Sequence, residues 1–308
     1  MKEMIKRVPI PLCGVMLGMA ALGNLLQSYS EGIRYVCGII AGLLLILVIL
    51  KLFLFWGTVK EEMKNPIIAS VAGTFSMALM LLSTYIKPFI GSAAYYIWLL
   101  AIALHIVLII YFTVKFIVKF QMGEVFASYF IVYVGIAVAA VTAPVYDKTG
   151  AGSAAFWFGF ICLIVLLILI TIRYVKYKEI PDSAKPLICI YAAPMSLCIA
   201  GYVQSVTPKS CEMLMAMFVV ASILYIFALV KAVGYLKLPF FPSYASFTFP
   251  FVISAIASKQ TMACLANMGN PIPALQYVVL AETMIAVLFV MYTLARFLQY
   301  IFVGPKEK

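Results

Sequence analysis

Apolar residues along this chain come in stretches of about 20, the length of helix that crosses a hydrocarbon layer of about 30 Å. Short clusters of charged, Gly, Pro and Asn residues separate them, and the stretches fall at 9–26, 35–56, 66–86, 93–116, 125–145, 154–174, 186–204, 213–233, 244–263 and 275–302. The ten-residue alternating segments of a membrane β-barrel are missing, so the pattern predicts ten transmembrane helices. Ten spans leave about nine residues for each connection and end, too few for a soluble domain, and residues 1–308 read as a single transmembrane domain. Pro9 and Pro11 open the first span and no small-residue cleavage site follows a short apolar core, so no cleavable signal peptide is expected.

The spans are of two kinds, and the kinds alternate. Even-numbered spans are nearly continuous Leu, Ile, Val and Phe, as in GIIAGLLLILVIL (38–50) and ICLIVLLILITI (161–172), which suits faces turned to lipid. Odd-numbered spans carry Pro, Gly, Ser, Thr and Tyr in their interiors, as in NPIIASVAGTFSMALMLLS (65–83) and PSYASFTFPFVISAIAS (242–258). Small and hydroxyl residues belong where helices pack closely or line a cavity, and Pro is tolerated where neighbours satisfy the freed carbonyls. The expected fold is therefore an all-α integral membrane protein of five helical hairpins in quasi-five-fold arrangement, its inner odd helices lining a central pore.

Composition removes the soluble classes. Of 308 residues 66% are hydrophobic and only 11% charged, with mean hydropathy +1.11, against about half apolar and a quarter charged in a soluble domain. Soluble enzymes and nucleic-acid binders are excluded, and the formal charge of +11 is first a marker of topology. With ten spans, Arg34, Lys87, Lys148, Lys209 and Lys259 fall on one side, one per loop. The other seventeen of the 22 basic residues, among them Lys306 and Lys308, share the opposite side with both termini. That asymmetry puts both termini in the cytoplasm of a multi-pass plasma-membrane protein.

No Asp, Glu, Lys, Arg or His lies within the odd-numbered spans before Lys259. A tight dicarboxylate site calls for Arg or Lys, and a proton-coupled carrier for a titratable group in its path. The inner wall instead offers hydroxyls (Ser70, Thr74, Ser76, Ser128, Ser196, Ser246, Thr248, Ser254), small residues and aromatics. Weak multi-site contacts inside a basic rim suit passage of small anions, because an ion must leave as easily as it enters.

Phe247, Phe249 and Phe251 surround Pro250 on helix 9. One of them could plug the axial space, or all three could fill helix contacts; on an ideal helix Ser243, Phe247, Pro250 and Ser254 share a stripe that points Phe247 inward. Gly14 and Gly18 form a GxxxG, and Pro194 interrupts helix 7, features that serve close packing and pore widening alike. Glu282, the one acid well inside a span, could couple transport, pair with Lys259 or bridge subunits, and His105 reads as a hydrogen-bonded structural residue. The seven cysteines are scattered without CxxC or His pairing, so no metal site or cofactor is expected, although Cys211 and Cys264 lie near enough to outer helix ends to meet. No Walker, Rossmann or hydrolase motif occurs, and no enzymatic activity is expected.

Three places along the chain, CGVMLGMAALGN (13–24), AAPMSLCIAGY (192–202) and SYASFTFPFVISAIA (243–257), resemble the helix 1, 7 and 9 patterns of the tellurite-resistance/dicarboxylate transporter family. That family includes bacterial tellurite-resistance membrane proteins and the slow anion channels of plant guard cells. The resemblance implies five hairpins around a pore, a homotrimer with one pore per subunit, and a gating phenylalanine on helix 9. The matching residue is Phe249, and Gly14 matches a helix 1 glycine that faces it. Helix 5 departs from the pattern, because SYFIVYVGIAV has no proline where relatives often break.

The expected function is an anion channel for small monovalent anions such as chloride or nitrate. The alternative is a secondary transporter or exporter of dicarboxylate or tellurite-type anions, coupled through Glu282. A ten-helix exporter of two inverted halves fits less well, since helix pairs repeat here and the charge bias keeps one sign.

Overall fold

A computed structural model describes residues 2–304 of the chain, so Lys306 and Lys308 lie outside the described residues. Among these residues every regular element is helical. Eight helices are long and apolar enough to cross a membrane, and two shorter apolar helices stand where the first and fifth spans were expected. In chain order the ten are α1 (Leu12–Leu26), α2 (Glu31–Leu54), α3 (Pro66–Ile90), α4 (Ala93–Ile117), α5 (Ala137–Tyr146), α6 (Thr149–Lys176), α7 (Lys185–Ser205), α8 (Cys211–Tyr235), α9 (Pro242–Asn267) and α10 (Leu275–Phe302).

The alternation of Leu-rich and small-residue spans becomes an alternation of burial. The apolar windows of α3, α7 and α9 are 72%, 94% and 67% buried, against 22% to 44% in α2, α4, α6, α8 and α10. All of α1 except Asn24 and Leu26 is buried. The exposed residues of the even helices include Ile39, Val107, Ile161, Ile223 and Leu288, a surface that only lipid or another apolar face can cover.

The odd helices pack in a closed cycle: α1 on α3, α3 on α5, α5 on α7, α7 on α9, and α9 back on α1. Each even helix packs on the odd helix before it, and α2, α6, α8 and α10 also touch the next odd helix in the cycle. Hydroxyls lock the cycle. Tyr85 donates to the Ala20 carbonyl (2.6 Å), Ser205 to Ala140 (2.5 Å), Ser254 to Ala192 (3.0 Å) and Thr248 to Gly14 (2.9 Å), while Ser70 donates to the Ser128 hydroxyl just ahead of α5 (2.7 Å). In a nonpolar medium such bonds are worth on average about 0.6 kcal/mol each, and they consume hydroxyls that the sequence pattern assigned to the pore wall.

The inner helices are discontinuous. In α7 a 3-10 segment (Lys185–Ala192) precedes the α-helical part beginning at Ala193, and in α9 a 3-10 segment (Pro242–Phe247) precedes one beginning at Phe249. Pro186, Pro194, Pro242 and Pro250 sit in the first turn of these four pieces, where the missing N–H has no intrahelical partner to lose. They start segments rather than kink a continuous helix. Because residues 242–247 are not α-helical, the ideal-helix stripe that pointed Phe247 inward does not exist. Ahead of α5 the chain breaks without proline, at a turn over 134–136. There a Cβ on Gly135 would collide with the Ile131 carbonyl oxygen and come within 2.8 Å of the Met77 sulfur and 2.9 Å of the His105 ring, so the turn itself and its packing on α3 and α4 both require glycine.

Candidate functional site

Two cavities lie inside the cycle of odd helices. The first, about 320 Å³, is lined by the starts of these helices and the residues before them, including Pro11, Gly14, Thr74, Gly135, Pro194, Ser246 and Pro250. The second, about 390 Å³, is lined by their later turns and ends, including Asn24, Thr84, Lys87, Thr142, Gln204 and Gln260. All five odd helices thus run in the same direction along one axis. Two residues line both cavities: Phe249 and Leu197. Phe249, the first residue of the α-helical part of α9, is 6% exposed. The two cavities therefore adjoin at these two side chains.

The backbone supplies the field on the first side. The α-helical parts starting at Leu12, Gly73, Ala193 and Phe249 begin around this cavity, and each helix N-terminus carries about half a positive charge. Broken helices that aim their N-termini at a midplane site favour an anion there without any basic side chain. The second cavity has basic side chains instead, Arg34 and Lys87, and no acid among its lining residues. The Arg34 Nε donates to the Asn24 amide oxygen (3.2 Å), and its guanidinium lies 4.6 Å from the centre of the Tyr85 ring. Glu31 stands 3.7 Å from it but is exposed, and such a pair cancels little of the field. Lys87 donates to the Val145 carbonyl and lies 5.3 Å from the Tyr146 ring centre.

A sequence model for the voltage-dependent anion channel matches residues 7–298. The chain belongs to this family. Voltage-dependent anion channels of this kind are the tellurite-resistance/dicarboxylate transporter family that the three motifs resemble, and they transport anions through membranes. No protein of curated function matches the chain.

In this member of the anion channel family, Gly14, Thr74, Pro194, Phe249 and Pro250 come together around the first cavity. Gly14 sits against Ala245, where an added Cβ would come within 3.1 Å of the Ala245 Cβ, and the Thr74 hydroxyl donates to Val71 (2.7 Å). Gly18 faces the backbone that carries Phe249 rather than either cavity. Phe247 packs on Tyr244 and Phe289, with ring centres 4.8 and 5.8 Å away, and lines neither cavity. Ser128, Ser196 and Ser254 also lie outside both, hydrogen-bonded between or along helices, the last two with their hydroxyls 3.1 Å apart.

Glu282 is buried on α10, accepts from the Ser258 hydroxyl (2.6 Å) and lines neither cavity. Lys259 does not pair with it; its ammonium donates to the Leu25 carbonyl (3.1 Å) and to Ser28. His105 is fully buried, with Ser76 at Nδ1 (2.7 Å) and the Val132 carbonyl at Nε2 (3.0 Å). A carbonyl only accepts, so Nε2 carries the proton in this arrangement. Cys211 and Cys264 are both free thiols, and no three or more His, Cys, Asp or Glu side chains among the described residues converge on a common metal position.

The sequence pattern missed Leu197, Arg34 and Lys87 as cavity residues. Leu197 sits in a run of small residues, AAPMSLCIAGY, and its size there was the one available signal. Arg34 and Lys87 registered only as topological charges.

Proposed function

We propose that this protein is a passive channel for small monovalent anions such as chloride or nitrate. Its ten membrane-crossing helices form five hairpins, the odd helices enclose the pore, and Phe249 closes it against Leu197. The observation that carries this reading is that Phe249 and Leu197 are shared by the linings of two otherwise separate cavities on one axis. An uncharged wall near the constriction, a positive end of broken helices on one side and two basic residues on the other attract anions without binding them tightly. The reading as a proton-coupled carrier through Glu282 is less supported, since that carboxylate lies off both cavities.

We extend the proposal to a homotrimer in a bacterial inner membrane, as the family resemblance implies, with one pore per subunit. Light scattering of the detergent-purified protein reads the copy number. Bilayer recording of the purified protein, with anions exchanged one at a time, tests the channel itself. Unitary currents that reverse at the anion equilibrium potential support it, and solute flux without unitary events, driven by a proton gradient, contradicts it.

A further inference from the structure

Among the described residues, Glu62 is the one charged side chain lining the first cavity. It ends a short helix, Trp56–Glu62, that joins α2 to α3, and therefore stands at the entrance of the path. A bare carboxylate there works against anion entry, because a charge at a narrow mouth with low-dielectric walls acts on every entering ion. The carboxylate is not bare. Its Oε1 accepts from the Lys51 ammonium at 2.8 Å, while Oε2 is buried without a hydrogen-bond partner.

Lys51 is the unusual member of the pair. It lies in the last turn of α2, a helix mostly turned outward, where a lysine ordinarily extends its ammonium to water. Instead it is 2% exposed and bonded to Glu62. Burying an ammonium is costly unless a carboxylate compensates it, and Glu62 supplies that carboxylate at 2.8 Å.

We propose that Lys51 and Glu62 form a charge-compensated entrance: Glu62 is a conductance-determining residue of the pore mouth, and Lys51 is the positioning residue that cancels its charge. The inference rests on the reading of the two cavities as one anion path. Its signature is a pair of opposite effects. Lys51→Met leaves a net negative mouth and depresses anion entry from that side. Glu62→Gln leaves a net positive mouth and raises it. The double variant returns toward wild type.

The test is chloride current through wild type, Lys51→Met, Glu62→Gln and the double variant in inside-out patches, where the Glu62 side faces the bath. The account expects about a threefold fall and a threefold rise for the two single variants at ~0.03 M salt, shrinking to less than about 1.5-fold at ~1 M, where the screening length is only about 3 Å. Single variants that shift current in the same direction, or leave it unchanged at low salt, overturn the proposal and reduce the pair to a structural tether. If Lys51→Met does not reach the membrane, Glu62→Gln decides alone: a salt-sensitive rise supports the proposal, and no rise overturns it. A wild-type protein that carries no chloride current fails the channel reading itself, an outcome distinct from unresponsive variants of a conducting protein.

Discussion

A methyl group built on Gly18 would come within 2.9 Å of the Phe249 backbone nitrogen and 2.6 Å of the Thr248 Cβ. Helix α1 therefore presses directly on the residue that starts the α-helical part of α9. Thr248 fixes the contact by donating to the Gly14 carbonyl at 2.9 Å, one turn earlier on α1. Thr248 and the Phe249 backbone leave no room for a side chain at position 18.

Gly18→Ala forces α1 and α9 apart at this point. Overpacking of this kind costs roughly 1–3 kcal/mol, which is read as a lowered thermal midpoint of the detergent-purified protein, with altered anion flux in the same sample. Gly42→Ala on α2, where an added Cβ meets nothing within 4 Å, is the control and leaves both readouts near wild type.

Leu197→Ala removes the second side chain shared by the two cavities. Chloride flux in proteoliposomes rises, by less than in Phe249→Ala because the aromatic ring remains in place. Unchanged flux would remove Leu197 from the constriction.

Lys87→Gln and Arg34→Gln each take one positive charge from the second cavity, which has no lining acid to unmask. Chloride entry from that side falls by about two- to fivefold at low ionic strength for each variant and recovers at ~1 M salt. Each variant also loses a cation held over an aromatic ring, Arg34 over Tyr85 and Lys87 over Tyr146, so the thermal midpoint of both falls modestly below wild type.

Glu282→Gln keeps the hydrogen bond from Ser258 through the amide oxygen and removes the ionisable group. Because this side chain lines neither cavity, anion flux stays within about twofold of wild type and is equally insensitive to an imposed proton gradient. Gradient-driven uptake that disappears in this variant would instead establish a coupled carrier.

The division into buried and lipid-facing helices was legible in the sequence because burial in a membrane selects small and hydroxyl residues over Leu, Ile and Val, and α7 against α8 shows it plainly. The shortness of α1 and α5 was not legible, since apolar composition continues past the helical residues on both. Nor was the turn at Gly135, where an added Cβ would meet the Ile131 carbonyl and also Met77 and His105, the last two distant in sequence. The hydroxyls of Ser128, Ser196 and Ser254 were legible as buried but not as spent on hydrogen bonds within and between helices. Of the two residues that line both cavities, Phe249 was singled out by its motif, whereas Leu197 became visible only from the cavity linings.

The most direct measurement of the central claim is the unitary chloride conductance of Phe249→Ala beside wild type in planar bilayers. Removing the ring joins the cavities of about 320 and 390 Å³, so the account predicts a conductance several times that of wild type with anion selectivity retained. A well-folded Phe249→Ala protein whose conductance is no higher than wild type would contradict it.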